Sequence, residues 1–306
     1  MSHSPLLRSA GRVGKAVWNE IPQSVLDTRA FRFLGHCINW TVRITAKRHQ
    51  TGGTWFFRNM PLLAALTELI QTMHLQEPLR LCFVGCSTGA EVYSTLWMLR
   101  TRVPHIRVVT VALDVCLPAI DRAKAGRYLL GSPEFRGAIP DEALSNLFYS
   151  EDEYLTVKPW LKEGIRWIVC DARDPTLLSL IGPQDLVLAN NFLLHMKDDE
   201  ASRCMISLIR LIRPGGFLVC RGVDLGVRTN VVRNQLLRPV TAYTEEIHDA
   251  DPELDARKSW PWHYTSLEPL DKSRQDWRER YAAIFKVPDA AEPAVTDPKR
   301  AKAAGG

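Results

Sequence analysis

The stretch LRLCFVGCSTGAEVYSTLWMLR, from Leu79 to Arg100, begins as an apolar run of strand length and ends as a helix. The turn between them carries Gly85, Ser87, Thr88 and Gly89, and an acid, Glu91, follows at once. A strand that is apolar at nearly every position is buried on both faces, which is the habit of parallel sheets. A strand, a glycine-bearing turn and a helix start also form a nest of backbone N–H groups beside the positive end of a helix dipole. Such a turn suits a nucleotide, a phosphate or a carboxylate, or it is simply a tight packing turn. No GK[ST] follows, which removes the phosphate loop of nucleotide hydrolases, and the Gly85 to Gly89 spacing is GxxxG rather than GxGxxG.

Outward from this stretch, apolar strands alternate with helices. IRVVTVALD is a second strand ending in Asp114, and LPAIDRAKAG is its helix, closed by Gly126. GIRWIVCDA is a third strand and QDLVLANNFLLH a fourth. DDEASRCMISLIRLIRPGG reads as a helix stopped by Pro-Gly-Gly, with FLVCRG as a fifth strand. This grammar predicts an α/β fold: a mostly parallel, Rossmann-like sheet with helices on both faces and ligands at the carboxyl ends of its strands. Residues 1–75 carry helical periodicity and form an N-terminal helical segment, in which Asn59 is a candidate cap and Pro61 lies in the first turn of NMPLLAALTELIQTMHL. The sheet domain is expected over 76–287. Residues 127–164 form an insert with a strand pair around LFYS and YLTVKPW, and 288–306 form a disordered tail.

Composition bounds the function. The chain has 306 residues, 46% hydrophobic and 24% charged, with a net charge of +5, as expected of a globular protein with a sizeable core. Its basic residues are scattered, so no nucleic-acid partner is expected. Seven cysteines, an odd number with no CxxC pair, fit a reducing cytoplasm, and no metal site is expected. Neither a signal peptide nor an apolar run of bilayer length is present, so the expectation is a cytoplasmic protein without membrane insertion.

The other strand ends point to a ligand. Asp114 can accept from both hydroxyls of a ribose. Asp171-Ala172 can face an adenine amino group, and Asn190-Asn191 ends the fourth strand near the sheet centre. Taken with the turn, these polar strand ends outline a nucleoside pocket. Glu91 repels phosphate and attracts a cation, so an adenosine-containing ligand with a cationic end, S-adenosylmethionine, is the leading candidate.

At this point the motifs resemble a family. CSTGAEVYS is similar to the CSTGEEPYS-type motif of the chemotaxis receptor methyltransferases, the CheR family. TWFFR, from Thr54 to Arg58, resembles the family's TxFFR element, and ALD its ATD strand end. LVLANNFLLHM resembles F-x-x-CRNVLIYF, and LIRLIRPGGFLV the L-x-P-G-G-x-L element. The resemblance covers about residues 50–222. It implies a class I methyltransferase fold and cofactor contacts at Thr54, Arg58, Glu91 and Asp114, extending to Asp171, Ala172, Asn190 and Asn191, around the turn residues Gly85, Ser87 and Gly89. Glu91 would take the cationic amine, Asp114 the ribose and Arg58 a carboxylate, either that of the cofactor or that of the acceptor. The implied reaction is O-methylation of a protein glutamate.

The sequence departs from the family pattern in three places. His195 stands where the family has a Tyr, and Asn190 where it has an Arg. The insert offers SEDE in place of a Gly-x-Gly hairpin turn, so docking of a receptor peptide is not implied. A second reading is therefore a small-molecule O- or N-methyltransferase with His195 as base. A third is a regulatory protein that binds S-adenosylmethionine without catalysis. The Trp-rich segment after Gly222 either closes the sheet edge as a final hairpin and helix, or brings Trp260, Trp262 and His263 to an acceptor pocket.

Overall fold

In a computed structural model of the chain, the described residues are 53–73, 78–251 and 270–289, together with parts of 17–38 that include a helical turn at Gln23–Leu26. Trp260, Trp262, His263 and the tail from residue 290 onward lie outside them. The strands are β1 (Leu79–Val84), β2 (Val108–Asp114), β3 (Arg127–Leu129), β4 (Phe148–Glu151), β5 (Tyr154–Val157), β6 (Ile165–Val169), β7 (Gln184–Asn190), β8 (Ile212–Arg221), β9 (Arg238–Val240) and β10 (Ile284–Lys286). The main sheet is seven-stranded, in the order β6-β2-β1-β7-β8-β10-β9. The first five strands of this order run parallel, and β10 pairs antiparallel with both β8 and β9. Asn190 thus ends the central strand.

The apolar runs are buried as their composition requires. Every residue of β7 is buried, and along β1 the side chains alternate between two cores. Leu81 and Phe83 face one core with Leu186, Leu188 and Trp97, while Cys82 and Val84 face the other with Val187, Ala189 and Met205. The helices α1 (Met60–Thr72) and α2 (Ala90–Arg102) cover the first face and α3 (Leu117–Ala125) follows β2. Gly126 closes α3 in the left-handed conformation, at φ 58°. Asn59 caps α1 by accepting from the Leu62 amide at 2.9 Å, and its own Nδ2 donates to the Ile247 carbonyl at 2.8 Å. One side chain therefore starts a helix and ties it to a segment nearly two hundred residues later.

Two details differ from the sequence reading. The helix expected to end at Pro-Gly-Gly, α4 (Asp198–Ile209), stops earlier, and β8 already begins at Ile212. Pro214, Gly215 and Gly216 lie inside that strand, where the pairing with β7 shifts register between Gln184 and Leu186. The shift explains the residue types. Proline has no N–H to lose from the ladder at such an irregularity. A Cβ on Gly216 would stand 2.6 Å from the Asp185 carbonyl oxygen. The second difference is β3, a three-residue strand too short and too exposed to signal itself in the sequence. It pairs with β5, which pairs with β4, as a separate three-stranded sheet within residues 127–164.

That small sheet is linked to the glycine turn through Glu134, which is 4% exposed. Its carboxylate accepts from Thr88 Oγ1 at 2.9 Å and pairs with Arg122 at 3.1 Å, and its carbonyl accepts from the Phe56 amide. Tyr128 of β3 donates its hydroxyl to the Thr88 carbonyl at 2.6 Å. At the far edge of the main sheet, a helix at Trp277–Tyr281 leads into β10.

Replacing Asn59 by Ala removes the α1 cap and leaves the buried Ile247 carbonyl without its donor. The expected loss is about 2 kcal/mol of unfolding free energy in urea titration. A loss below about 0.5 kcal/mol would show that neither bond matters.

Candidate active site

The turn after β1 does not form an open cradle. The amides of Gly85 and Cys86 donate to the Leu113 carbonyl at 2.9 and 3.1 Å, and the Ser87 amide donates to Asp114 Oδ2 at 2.8 Å. Asp114 Oδ1 accepts from the Cys116 amide at 2.9 Å. The expected nest is thus bound to β2, and no phosphate cradle faces outward through these amides. Gly85 and Gly89 serve packing: both have positive φ, and a Cβ would meet the Phe192 side chain at Gly85, or Ala123 and Trp167 at Gly89. Each oxygen of Asp114 holds one amide and keeps lone-pair capacity for a ligand hydroxyl.

Beside the turn, a cleft opens at the carboxyl ends of β7 and β8, against the start of α1. Arg58, Glu91, Asn190 and Asn191, all expected from the sequence, line it together with Trp55, Ser94 and Arg221. Glu91 lies in the first turn of α2, where the helix dipole favours an anion. Asn190 Nδ2 donates to Glu91 Oε1 at 2.5 Å. Burial pushes the Glu91 carboxyl above its ordinary range, while the Asn190 bond and the charges of Arg58 and Arg221 pull it back down. The Arg58 guanidinium stacks 4.0 Å above the centre of the Trp55 ring. Arg221, 7% exposed, is paired with Asp251, itself 3% exposed.

The backbone around the cleft is held in unusual conformations. Phe57, Ser87 and Asn191 all have φ between 48° and 59°, which non-glycine residues seldom adopt. The Phe57 amide donates to Ser94 Oγ at 2.9 Å, and the Asn191 amide to the Arg221 carbonyl at 2.9 Å. Asn190 Oδ1 is buried and has no hydrogen-bond partner among the described residues. Such an atom is costly without a ligand or water to bond it.

The remaining expected residues are not among those that line the cleft. Asp171 is held by Arg173 through a pair of bonds, 3.0 Å from Nε and 2.7 Å from Nη2, which keeps its carboxyl below the usual range. Ala172 is buried in the core with Leu177. Thr54 is half-buried before Trp55. His195 ends the 3₁₀ turn Leu193–His195, which follows β7 after Phe192. Trp55 and Arg221 carried too little sequence signal as site residues: the first sits inside TWFFR, and the second is one arginine among many at a strand end.

The CheR methyltransferase, SAM binding domain, family model matches residues 53–231, more than half of the chain. The chain belongs to this family. S-adenosylmethionine is its cofactor, and the match spans the turn and the cleft, from Gly53 to beyond Arg221. Two curated relatives are named probable biofilm formation methyltransferase WspC. The one from Pseudomonas aeruginosa is 32% identical over 170 residues, and the one from Pseudomonas putida 30% over 171. These matches cover 53% and 54% of this chain but 39% of either relative, so the chain spans about two fifths of their length. Among solved structures, the N-methyltransferase NodS of Bradyrhizobium japonicum aligns with 76% of this chain and 100% of its own, at 14% identity and a TM-score of 0.37. The citrinin polyketide synthase CMeT domain aligns with 76% of this chain and 52% of its own, at 15% identity and a TM-score of 0.39. Among the described residues no helix is long and apolar enough to cross a membrane.

The residues fit this cofactor. A cleft that holds one carboxylate, two guanidinium groups and an unsatisfied amide oxygen can bind both charges of an amino-acid end.

A raised folded-state carboxyl has a defined consequence for stability. The stabilisation is fully present below the unfolded glutamate value and is lost as pH rises through the higher folded value. Ligand-free Glu91→Gln should therefore be more stable than the parent at neutral pH, and the difference should vanish below the ordinary carboxylate range. Urea titrations of both proteins across the acid range check this, and a difference that does not change with pH would contradict it.

Proposed function

We propose that the chain is an S-adenosylmethionine-dependent methyltransferase that transfers the methyl group to a carboxylate oxygen, with a protein glutamate as the favoured acceptor. What carries this reading is the joint placement of Glu91, Arg58 and Arg221 in one cleft at the carboxyl ends of the central strands. Glu91 binds the cationic amine of the amino-acid end, and Asn190 holds its carboxylate in place. Asp114, steadied by two backbone amides, accepts from the ribose hydroxyls. Arg58, stacked on Trp55, neutralises a carboxylate. Asp171, Ala172, Asn191 and Thr54 are further cofactor contacts, as the family resemblance implies.

When bound, the cofactor would supply a methyl group on a sulfonium; the new methyl–oxygen bond would form as the C–S bond breaks, with that electron pair going to sulfur as a neutral thioether. A glutamate acceptor, with an unperturbed pKa near 4.3, is ionised at neutral pH and needs no general base. The residues of the chain then contribute alignment and removal of water from the attacking oxygen. Among the described cleft-lining residues, Glu91 is the acid, and it is committed to Asn190 and the cofactor amine. That supports an acceptor that arrives already deprotonated. In the second reading, a small-molecule hydroxyl or amine is the acceptor and His195 the base.

Calorimetry with S-adenosylhomocysteine should show binding, and Asp114→Ala should weaken it at least about tenfold, as expected when hydrogen bonds to a charged group are lost. Unchanged affinity would mean that the ribose lies elsewhere. Mild base should release methanol from the methylated product, as a carboxyl ester does, and His195→Phe should leave the transfer intact. A base-stable product whose formation is abolished in His195→Phe would favour the second reading. Tight binding with no acceptor turned over in cell lysate would favour the regulatory one.

A further inference from the structure

The cleft contains a guanidinium that neither the sequence motifs nor the family resemblance assigns. Arg221 is the last residue of β8, and its register partner on β7 is Asn190. Its side chain is buried yet lines the cleft, and its charge reaches Glu91. Asp251 grips it through Nη2. A guanidinium presents five N–H groups as a planar fork, so a single bond from Nη2 to Asp251 leaves further donors, a second hydrogen on Nη2 among them, to address a second planar anion.

The support behind Arg221 is tied into the fold at several points. Asp251 closes the segment after the helix Thr244–Asp249, and that helix is anchored by the Asn59 bond to the Ile247 carbonyl. Gly222 turns the chain directly after Arg221 with φ 65°, and a Cβ there would stand 2.5 Å from Asn191 Cα. The strand end is therefore pressed against the Asn190-Asn191 corner. Burying an Arg–Asp pair costs desolvation that the pair alone rarely recovers. A pair that presents its cationic face to a cleft has a use that offsets this cost.

Strand order says which anion that is. Asp114 ends β2, and Arg221 ends β8, with β1 and β7 between them. Three strand spacings separate the two ends by on the order of 14 Å. The ribose acid and Arg221 thus stand on opposite sides of the glycine turn. An amino-acid end uses one acid and one guanidinium, and Glu91 and Arg58 supply them. Resting on the methyl-transfer reading above, we propose that Arg221 seats the carboxylate of the methyl acceptor and that Asp251 is its positioning residue. The acceptor oxygen is then held over β7 and β8 by a fork that orients both carboxylate oxygens.

The test is NMR of the full chain, following arginine Nε–H signals, with the Arg221 signal assigned by its loss in Arg221→Lys. The protein is first saturated with S-adenosylhomocysteine and then titrated with N-acetylglutamate α-amide, using N-acetylglutamine α-amide as the uncharged control. The Arg221 signal should shift with the acid and stay still with the amide. Asp251→Asn should weaken the acid's binding at least about tenfold while changing affinity for S-adenosylhomocysteine less than about twofold. An Arg221 signal that moves with S-adenosylhomocysteine and moves no further with the acid would make it a cofactor residue and overturn the proposal. A signal unmoved by the acid would leave it purely structural and overturn the proposal as well. Failure of the parent protein to bind S-adenosylhomocysteine would remove the methyl-transfer reading first, and this proposal with it.

Discussion

A carboxylate held in a desolvated cleft, Glu91, is the constraint on which the site depends. An anion in such a place is tolerated only if nearby donors and cations offset its lost hydration. The helix start beneath it, the Asn190 amide 2.5 Å away and the guanidinium groups of Arg58 and Arg221 do so. Each of these requires further structure. Arg58 is carried on the Trp55 face, Asn190 ends the central strand, and Arg221 is held by a buried acid thirty residues further along the chain. The net effect still leaves the Glu91 carboxyl above its ordinary range, so the protein keeps an acid where stability alone would not place one. In the proposed function, the cationic amine of the cofactor is the reason.

The fold converts that local need into a site. Five parallel strands put their carboxyl ends on one edge, so Asp114, the glycine turn, Asn190 and Arg221 fall in a row set by strand order. The turn itself is kept in shape from two sides. Asp114 and Leu113 take its amides, and Glu134, brought by the segment between β3 and β4, takes Thr88 Oγ1. The second link connects the small three-stranded sheet to the turn through part-buried polar bonds at Thr88.

Much of this was legible in the sequence because its causes are local. β1 and α2 were readable from a continuous apolar run followed by a glycine-bearing turn and a helical pattern, and β7 from the apolar run in QDLVLANN. The α1 cap was readable from Asn59 two residues before Pro61. Glu91 and the Asn190-Asn191 corner were singled out by residue type at helix and strand ends, and Arg58 by the family resemblance of TWFFR. What escaped had nonlocal causes. The end of α4 was misplaced because Pro-Gly-Gly reads as a helix stop, whereas here it fits a register shift against Gln184 and Leu186. The engagement of the turn amides by β2 depends on a neighbouring strand. Arg221 acquires meaning only through Asp251, thirty residues away and brought close by the fold.

The most direct measurement compares S-adenosylhomocysteine with 5′-methylthioadenosine, which lacks the amino-acid end, by calorimetry on the parent protein and on Glu91→Gln. The parent should prefer S-adenosylhomocysteine by at least about a hundredfold, ~2.8 kcal/mol, and most of that preference should disappear in the variant. Equal affinity for the two ligands in the parent, or a preference that survives the loss of the Glu91 charge, would contradict it.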